Sequence, residues 1–438
     1  MRLNWFSPLP PARTDIAHYS RRILPELAEA FDLVLWTNQS TWDAELETMA
    51  PVRRFSPDTI AAEPLLRQGL NVYHLGNNIE NHADIWEASR ALPGAVVLHD
   101  LTLFDFFGQY YEVRLRQEAQ FVKLLMEEYG EGAVQHWREF EIGLLSNGYL
   151  STHYPFGEIA VRGALGVLSH SPEAAQLLKL PAEVPLAFAP LPYRFKARDF
   201  SNQRAKYGDG PPYRIVVFGY IGKNRRVEQL LEAYAGLAEK DRFQIQIFGQ
   251  LFIEAEIRAA INRFGLENHV RIQGFVTDEV LEDALSRAHL VVNLRHPSMG
   301  EASGSQLRIW DHALPSLVSR TRWYAALPEN AVKFVGLGRD EVWDIQVHLR
   351  DFLKSPLHYA EMGLQGRRVL EMHHSPAAYV RRLKVFAEEV RLERTEAARI
   401  LLDRVAAQVR DKLGIAPSDR DLQQWAAHVS TLTTPPAC

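Results

Sequence analysis

Short apolar runs alternate with stretches of helical period along most of the chain. In the first half the runs Leu3–Ser7, Leu33–Thr37, Val72–Leu75, Ala95–Leu98, Gly166–Ser169 and Leu186–Ala189 read as buried strands. The segments Ile16–Ala30 and Asn81–Ala91 carry apolar residues at helical spacing between them. Strands alternating with helices predict an α/β architecture with parallel sheets. Between His99 and Leu165 the pattern changes to a charged, helix-forming insertion, densest over about 105–150, expected to pack on the edge of the first domain.

Pro190–Pro212 is rich in charge, Pro and Gly and has little periodicity, which marks a linker. Beyond it RIVVFG, FQIQIFG, VRIQGF, LVVNLR, SLVS and VKFV read as strands. Arg226–Ala238, Ala255–Phe264, Glu279–Ser286 and Ser305–Ala313 read as helices between them. A long helical run follows Pro376, then a polar segment and a short helix near Leu422–His428. The predicted organisation is a first Rossmann-like domain over 1–196, a second over 197–375, and a helical segment over 376–438. Open parallel sheets bind ligands at the carboxyl ends of their strands, so the expected ligand site lies in a cleft onto which both domains open.

Composition narrows the class without naming it. Hydrophobic residues make up 47% and charged residues 24% of 438 residues, ordinary values for a globular chain with a full-sized core. The net charge of −5 offers no basic field for nucleic acid, which is not expected as a partner. A single cysteine, Cys438, excludes an internal disulfide framework and a cysteine-rich metal site. The opening MRLNWFSPLPP lacks the pattern of a signal peptide, and no apolar run approaches the length of about 18 residues that spans a bilayer. A cytoplasmic location fits these features, with peripheral contact to an inner membrane as the alternative.

The most informative stretch is LVVNLRHPSMGEASGSQLRIWDHALP, a buried strand running through a loop of small residues into a helix. Gly300, Ala302, Ser303, Gly304 and Ser305 place unencumbered backbone N–H groups at a helix start, which suits an anion. Glu301 in the same loop suits sugar hydroxyls, which a phosphate-only site would not need. A plain helix cap by Ser303 is the structural alternative. Neither a Walker loop nor a G-x-S-x-G elbow is present.

This stretch resembles the donor-site loop of family 4 glycosyltransferases, retaining enzymes of the GT-B fold. The resemblance implies two Rossmann-like domains facing a cleft and a C-terminal helix returning to the first domain. It implies that Glu301 bonds the donor sugar's hydroxyls and that amides around Ala302–Gly304 hold the diphosphate. The family's second Glu, a ribose ligand, is replaced by Ile309, with Arg308 beside it.

Other segments align around that loop. FGYIGKNRRVEQLLEAY resembles the family's phosphate-cation motif, with Gly219 at the turn, Arg225 in the place of its Lys, and Lys223 and Arg226 beside it. A cation there neutralises a departing diphosphate; a solvated basic turn is the alternative. FSPLPPARTDIAHY resembles the family's opening loop, which implies first-loop or acceptor roles for Thr14, Asp15 and Tyr19. Asp15 stands where Gly is usual, so either Thr14 or Asp15 caps the helix, or Asp15 binds acceptor hydroxyls. AVVLHDLTLF sets His99 and Asp100 directly after a strand, and the resemblance implies that His99 meets the donor sugar at the reaction centre.

These features predict a metal-independent hexosyltransferase-like enzyme with His99, Glu301 and Arg225 at its centre and no cofactor beyond the nucleotide-sugar substrate. The acceptor would be a carbohydrate or lipid-linked glycan, as in bacterial surface polysaccharide synthesis. The only Asp-x-Asp, Asp419–Asp421, lies in the tail, far from any strand end. Another GT-B enzyme, such as an epimerase or phosphorylase, and a non-catalytic sugar-nucleotide-binding protein are the alternatives. A nicotinamide enzyme is disfavoured because no strand leads into G-x-G-x-x-G. The basic and aromatic residues of the insertion suit lipid headgroups, but Glu112, Glu118, Glu127 and Glu128 intersperse them and fit a solvated face better. Sequence offers no reading of the oligomeric state.

Overall fold

A computed structural model describes residues 1–12 and 14–393. The helix expected near Leu422–His428, Asp419, Asp421, Cys438 and the rest of the tail lie outside the described residues. Two compact units divide the chain, one formed by residues 1–192 together with the segment from 376 onward, the other by residues 193–375.

Unit 1 is built on a 7-stranded parallel sheet of order β3-β2-β1-β4-β5-β6-β7. Its strands are β1 Arg2–Phe6, β2 Asp32–Thr37, β3 Val52–Arg54, β4 Leu70–Leu75, β5 Ala95–Leu98, β6 Gly166–Ser169 and β7 Leu186–Phe188. The middle strands are buried along their whole length, as near-continuous apolar runs require when both faces of a sheet are covered. The edge strand β3 was not foreseen; its residues Val, Arg and Arg are largely exposed and carry no apolar run. The helix Asp15–Ala30 follows β1 and Ile79–Ala91 follows β4.

The insertion packs onto the sheet through a shared apolar seam. Its helices Glu118–Tyr129 and Glu131–Glu141 contribute Phe121, Leu125 and Trp137 to the same buried cluster as Phe6, Tyr73 and Val96 of the sheet. Phe104, Phe107 and Phe156 bridge the two groups. Charge on the outer faces hides this apolar seam from a composition reading. The returning helix, residues 376–393, belongs to unit 1: Phe386 and Val390 occupy the space that a side chain at Gly166 would need.

Unit 2 holds a 6-stranded parallel sheet of order β10-β9-β8-β11-β12-β13, the Rossmann strand order. Its strands are β8 Tyr213–Ile221, β9 Phe243–Leu251, β10 Val270–Gly274, β11 Leu290–Asn293, β12 Ser316–Ser319 and β13 Lys333–Val335. The segment read as a linker is mostly part of this unit. Lys196 N–H donates to Asp311, and Arg198 pairs with Glu282 and Asp311. Asp311 in turn is gripped by Arg367, so the helices Gly304–Asp311 and Pro356–His373 are tied together.

Candidate functional site

In each sheet the strand order reverses beside one strand, between β1 and β4 in unit 1 and between β8 and β11 in unit 2. Chain segments leave in opposite directions there and open a crevice at the carboxyl ends of the strands. The residues singled out by sequence gather at these places.

In unit 2 the turn after β8 carries Lys223, Asn224, Arg225 and Arg226. Lys223 is exposed. Arg225 is buried to 5% exposure, and its guanidinium donates to Asn293 Oδ1 at 2.7 Å and to the Tyr220 carbonyl at 3.3 Å. Asn293 ends β11 and donates to Gln306, fully buried on the next helix, which donates to Ser316 on β12. This chain of two amides and a hydroxyl, Asn293, Gln306 and Ser316, carries no signal in the sequence because each residue sits inside an apolar pattern. It holds the Arg225 guanidinium beside the helix start.

Gly219 is required by that arrangement. A Cβ on it would stand 2.7 Å from an Arg225 terminal nitrogen, and its φ of +118° disfavours any other residue. Gly249 faces it across the ribbon, where a Cβ would meet the Gly219 carbonyl oxygen at 1.9 Å.

The loop after β11 ends at Ser303, whose side chain accepts from Gln306 N–H and caps the helix Gly304–Asp311. Both readings of Ser303 therefore share one residue: capping uses one amide, and the N–H groups of Gly304 and Ser305 make no protein hydrogen bond among the described residues. The Ser305 hydroxyl lies 3.7 Å from the position of a Cβ on Gly219, so the helix start and Arg225 converge. Gly300 takes φ +79°, and Ala302 is half-buried in the same loop. Glu301 accepts from Ser298 Oγ at 2.9 Å and Met299 N–H at 2.7 Å through Oε2, while Oε1 pairs with Arg295 at 3.2 Å.

Arg226 is placed differently from its neighbours. It adopts a left-handed backbone with φ +55° and gives the Nε and Nη2 edge of its guanidinium to the buried Glu341. Its charge is neutralised within the fold. Ile309 is fully buried among Val216, Phe218, Phe248 and Leu285, and Arg308 pairs with Asp278 and Glu282. Neither presents a carboxylate to a ribose.

In unit 1 the structure brings His99 and Tyr19 together. Thr14 caps the first helix, accepting from Ile16 N–H, and Asp15 is exposed in its first turn. Tyr19 is buried and donates its hydroxyl to Tyr379 of the returning helix. Asp100 accepts from Asn77 N–H at 2.7 Å, and Asn77 in turn accepts from Phe106 N–H, so Asp100 holds the loops after β4 and β5 in register.

His99 packs edge-on against Tyr19 at 4.9 Å and near His170 at 5.0 Å, and shares a hydrogen bond of 2.9 Å with His74. His74, inside the apolar run of β4, gave no sequence signal. Burial pushes His74 and His99 well below the ordinary histidine range, helped by the neighbouring imidazoles, and pushes His82 down to about 4. In unit 2 burial likewise lowers His289 and His312 to about 4.

These shifts have one sign. Between the ordinary value of 6.5 and about 4 the unfolded chain binds protons that the folded chain refuses. The contribution is complete above pH 6.5 and is lost as pH falls toward 4. The urea midpoint is expected to be lower at pH 5 than at pH 7.

Among the described residues no group of three or more His, Cys, Asp or Glu is arranged to hold a metal ion, and no helix is long and apolar enough to cross a membrane.

Residues 199–307 match the model of the family described as glycosyl transferases group 1. No curated protein matches the chain. Among solved structures, the Anabaena protein HepE with UDP and glucose is 12% identical with a TM-score of 0.58, covering 88% of this chain and 98% of that one. Sucrose-phosphate synthase from Thermosynechococcus elongatus is 14% identical with a TM-score of 0.56, covering 89% and 98%. WaaG, a glycosyltransferase involved in lipopolysaccharide biosynthesis, is 13% identical with a TM-score of 0.53, covering 88% and 98%. The fold is GT-B, with two Rossmann-like parallel-sheet domains.

Proposed function

We propose that this chain is a retaining glycosyltransferase that moves a sugar from a nucleoside-diphosphate sugar to a carbohydrate or glycolipid acceptor without a metal ion. The observation that carries the reading is the convergence of the buried Arg225 guanidinium and the Gly304 and Ser305 amides at the switch point of unit 2. A fixed cation and a helix start aimed at one place suit a diphosphate whose charge grows as it departs. The match of residues 199–307 to group 1 glycosyl transferases supports the same assignment.

In the proposed reaction the bond from the anomeric carbon to the diphosphate oxygen breaks and a bond from the acceptor oxygen forms on the same face. The acceptor proton passes to the leaving phosphate oxygen, so no carboxylate nucleophile is needed. Glu301 fits the sugar end. A carboxylate offers about four acceptor positions; Ser298 and Met299 take those of Oε2, while Oε1, ion-paired with Arg295, keeps acceptor capacity for a sugar hydroxyl. We assign His99 to the donor sugar, as its place directly after β5 and the family resemblance imply. Synthesis of bacterial surface polysaccharide, at the cytoplasmic side of the inner membrane, is the setting that this chemistry suits.

The test is a thermal-shift panel of UDP-, GDP-, ADP- and dTDP-sugars. A donor present at 100 times its Kd adds about 2.7 kcal/mol to the native state, so one base is expected to raise Tm clearly. A panel without any shift overturns the reading. Glu301→Ala is expected to keep the shift given by the bare nucleoside diphosphate and to lose the extra shift given by its sugar. Equal loss of both moves Glu301 away from the sugar.

A further inference from the structure

The histidine cluster of unit 1 fixes a proton position that the reading above leaves open. His74 and His99 end neighbouring strands, β4 and β5, in register with each other's neighbourhood: His74 pairs with Val97, two residues before His99. Their rings meet through His74 Nδ1 and His99 Nε2 at 2.9 Å, so one of these nitrogens carries the shared proton.

The surroundings of His74 decide which. The residue is fully buried, its ring lies 4.0 Å from that of Trp5, and its Nε2 has no hydrogen-bond partner among the described residues. Burial and the neighbouring His170 and His82 keep His74 neutral, so it holds one proton. His82 supplies nothing to that nitrogen, because its own Nδ1–H donates to the His74 carbonyl. With the proton on Nε2, His74 would bury an N–H without an acceptor. With the proton on Nδ1, only a lone pair goes unmatched, and orphaned N–H groups are the rarer of the two in folded proteins.

We propose that His74 is a positioning residue: its Nδ1–H donates to His99 Nε2, which keeps the proton of His99 on Nδ1 and makes that nitrogen a fixed donor to an oxygen of the bound sugar nucleotide. The inference rests on the assignment of His99 to the donor sugar. His99 Nδ1 has no protein partner among the described residues and is the nitrogen left to meet a ligand. Burial and the cluster of His74, His82 and His170 also keep His99 neutral, and with its Nε2 lone pair taken by His74 it donates one hydrogen bond through Nδ1 and has no lone pair left to act as a base. Tyr19 closes the cluster on its remaining side with its hydroxyl donated to Tyr379, and no hydrogen bond joins it to His74 Nε2.

The experiment uses the whole chain labelled with 15N-histidine. Long-range proton–nitrogen correlations of the free protein at pH 7.5 are expected to show His99, assigned from the spectrum of His99→Ala, as the Nδ1–H form. An Nε2–H signal for His99 overturns the proposal before any variant of His74 is made. His74→Phe is then expected to convert the His99 signal to a mixture of forms, and His74→Asn, whose amide N–H stands near the place of Nδ1–H, to restore the single form. A His99 signal unmoved by His74→Phe overturns the proposal.

Activity separates this inference from the one beneath it. With the sugar nucleotide that gives the largest Tm shift in the panel, nucleoside diphosphate release is expected to fall roughly 10- to 100-fold in kcat for His74→Phe, with KM little changed and partial rescue by His74→Asn. His99→Ala without loss of turnover removes His99 from the reaction, yet leaves the tautomer result standing. Loss in His99→Ala with none in His74→Phe overturns the positioning role alone.

Discussion

Arg225→Ala is expected to lower kcat/KM for the sugar nucleotide by at least about 100-fold, the loss seen when one fixed donor to a developing oxyanion is removed. Arg225 is buried, and its position is set by Asn293, the Tyr220 carbonyl and the open backbone of Gly219. A guanidinium held in this way needs no reorganisation when charge develops on the diphosphate, and burial weakens the screening by water. Binding of the bare nucleoside diphosphate, followed by calorimetry, is expected to weaken as well, because the ground-state diphosphate already carries charge. Arg225→Lys retains the charge but cannot reach both Asn293 and the Tyr220 carbonyl in one plane, so an intermediate rate is expected. Turnover equal to that of the parent in Arg225→Ala removes the phosphate-cation role.

Asp311→Ala is expected to cost about 3–5 kcal/mol of stability in unit 2, read as a lower urea midpoint, because it removes the fully buried carboxylate that pairs with both Arg367 and Arg198. Asp311 is fully buried at the end of the helix whose start offers Gly304 and Ser305. It accepts from Arg367 and from Lys196 N–H, and it pairs with Arg198. Arg367 is itself 5% exposed, and its guanidinium packs over the rings of Phe195 and Phe200. Removing the carboxylate takes from Arg367 its buried counter-charge and leaves it Glu371, which is half exposed, and the carbonyls of Asp311 and Lys196. Changing Asp311 and Arg367 together to apolar residues of similar volume is expected to recover much of the loss, as removal of whole buried pairs often does. A midpoint for Asp311→Ala within error of the parent contradicts this account.

The alternation of apolar runs was enough to read the α/β class, most strands and the restart in the second half. Strand β3 escaped because an edge strand of Val, Arg and Arg needs no apolar run. Charges dominate the composition of the insertion and hide how it packs: Phe121, Trp137 and Phe156 join the core of the sheet. Loops with small residues and isolated charges announced Arg225, Glu301 and the Gly300–Ser305 turn. The groups behind the site residues did not announce themselves: Asn293 and Gln306 behind Arg225, and His74 behind His99, lie within buried strands or helices, where one polar residue among apolar neighbours reads as noise. Arg226 shows the converse, since adjacency in sequence to Arg225 suggested a shared task, whereas a left-handed backbone turns its side chain to Glu341.

Unit 1 is interrupted in sequence, and this governs its order of assembly. The hydroxyl of Tyr19 waits for Tyr379, and the strand position of Gly166 is covered by Phe386 and Val390. All of unit 2 is synthesised between these partners. At a translation rate of about 5–20 residues per second, the emerging first unit stands unsealed on the ribosome for on the order of ten seconds or longer. Unit 2, contiguous in the chain, can close as soon as its last helix appears. The domain translated second is therefore the one placed to finish folding first, and a chain stopped near residue 375 would expose the apolar bed of its missing helix to chaperones and proteases.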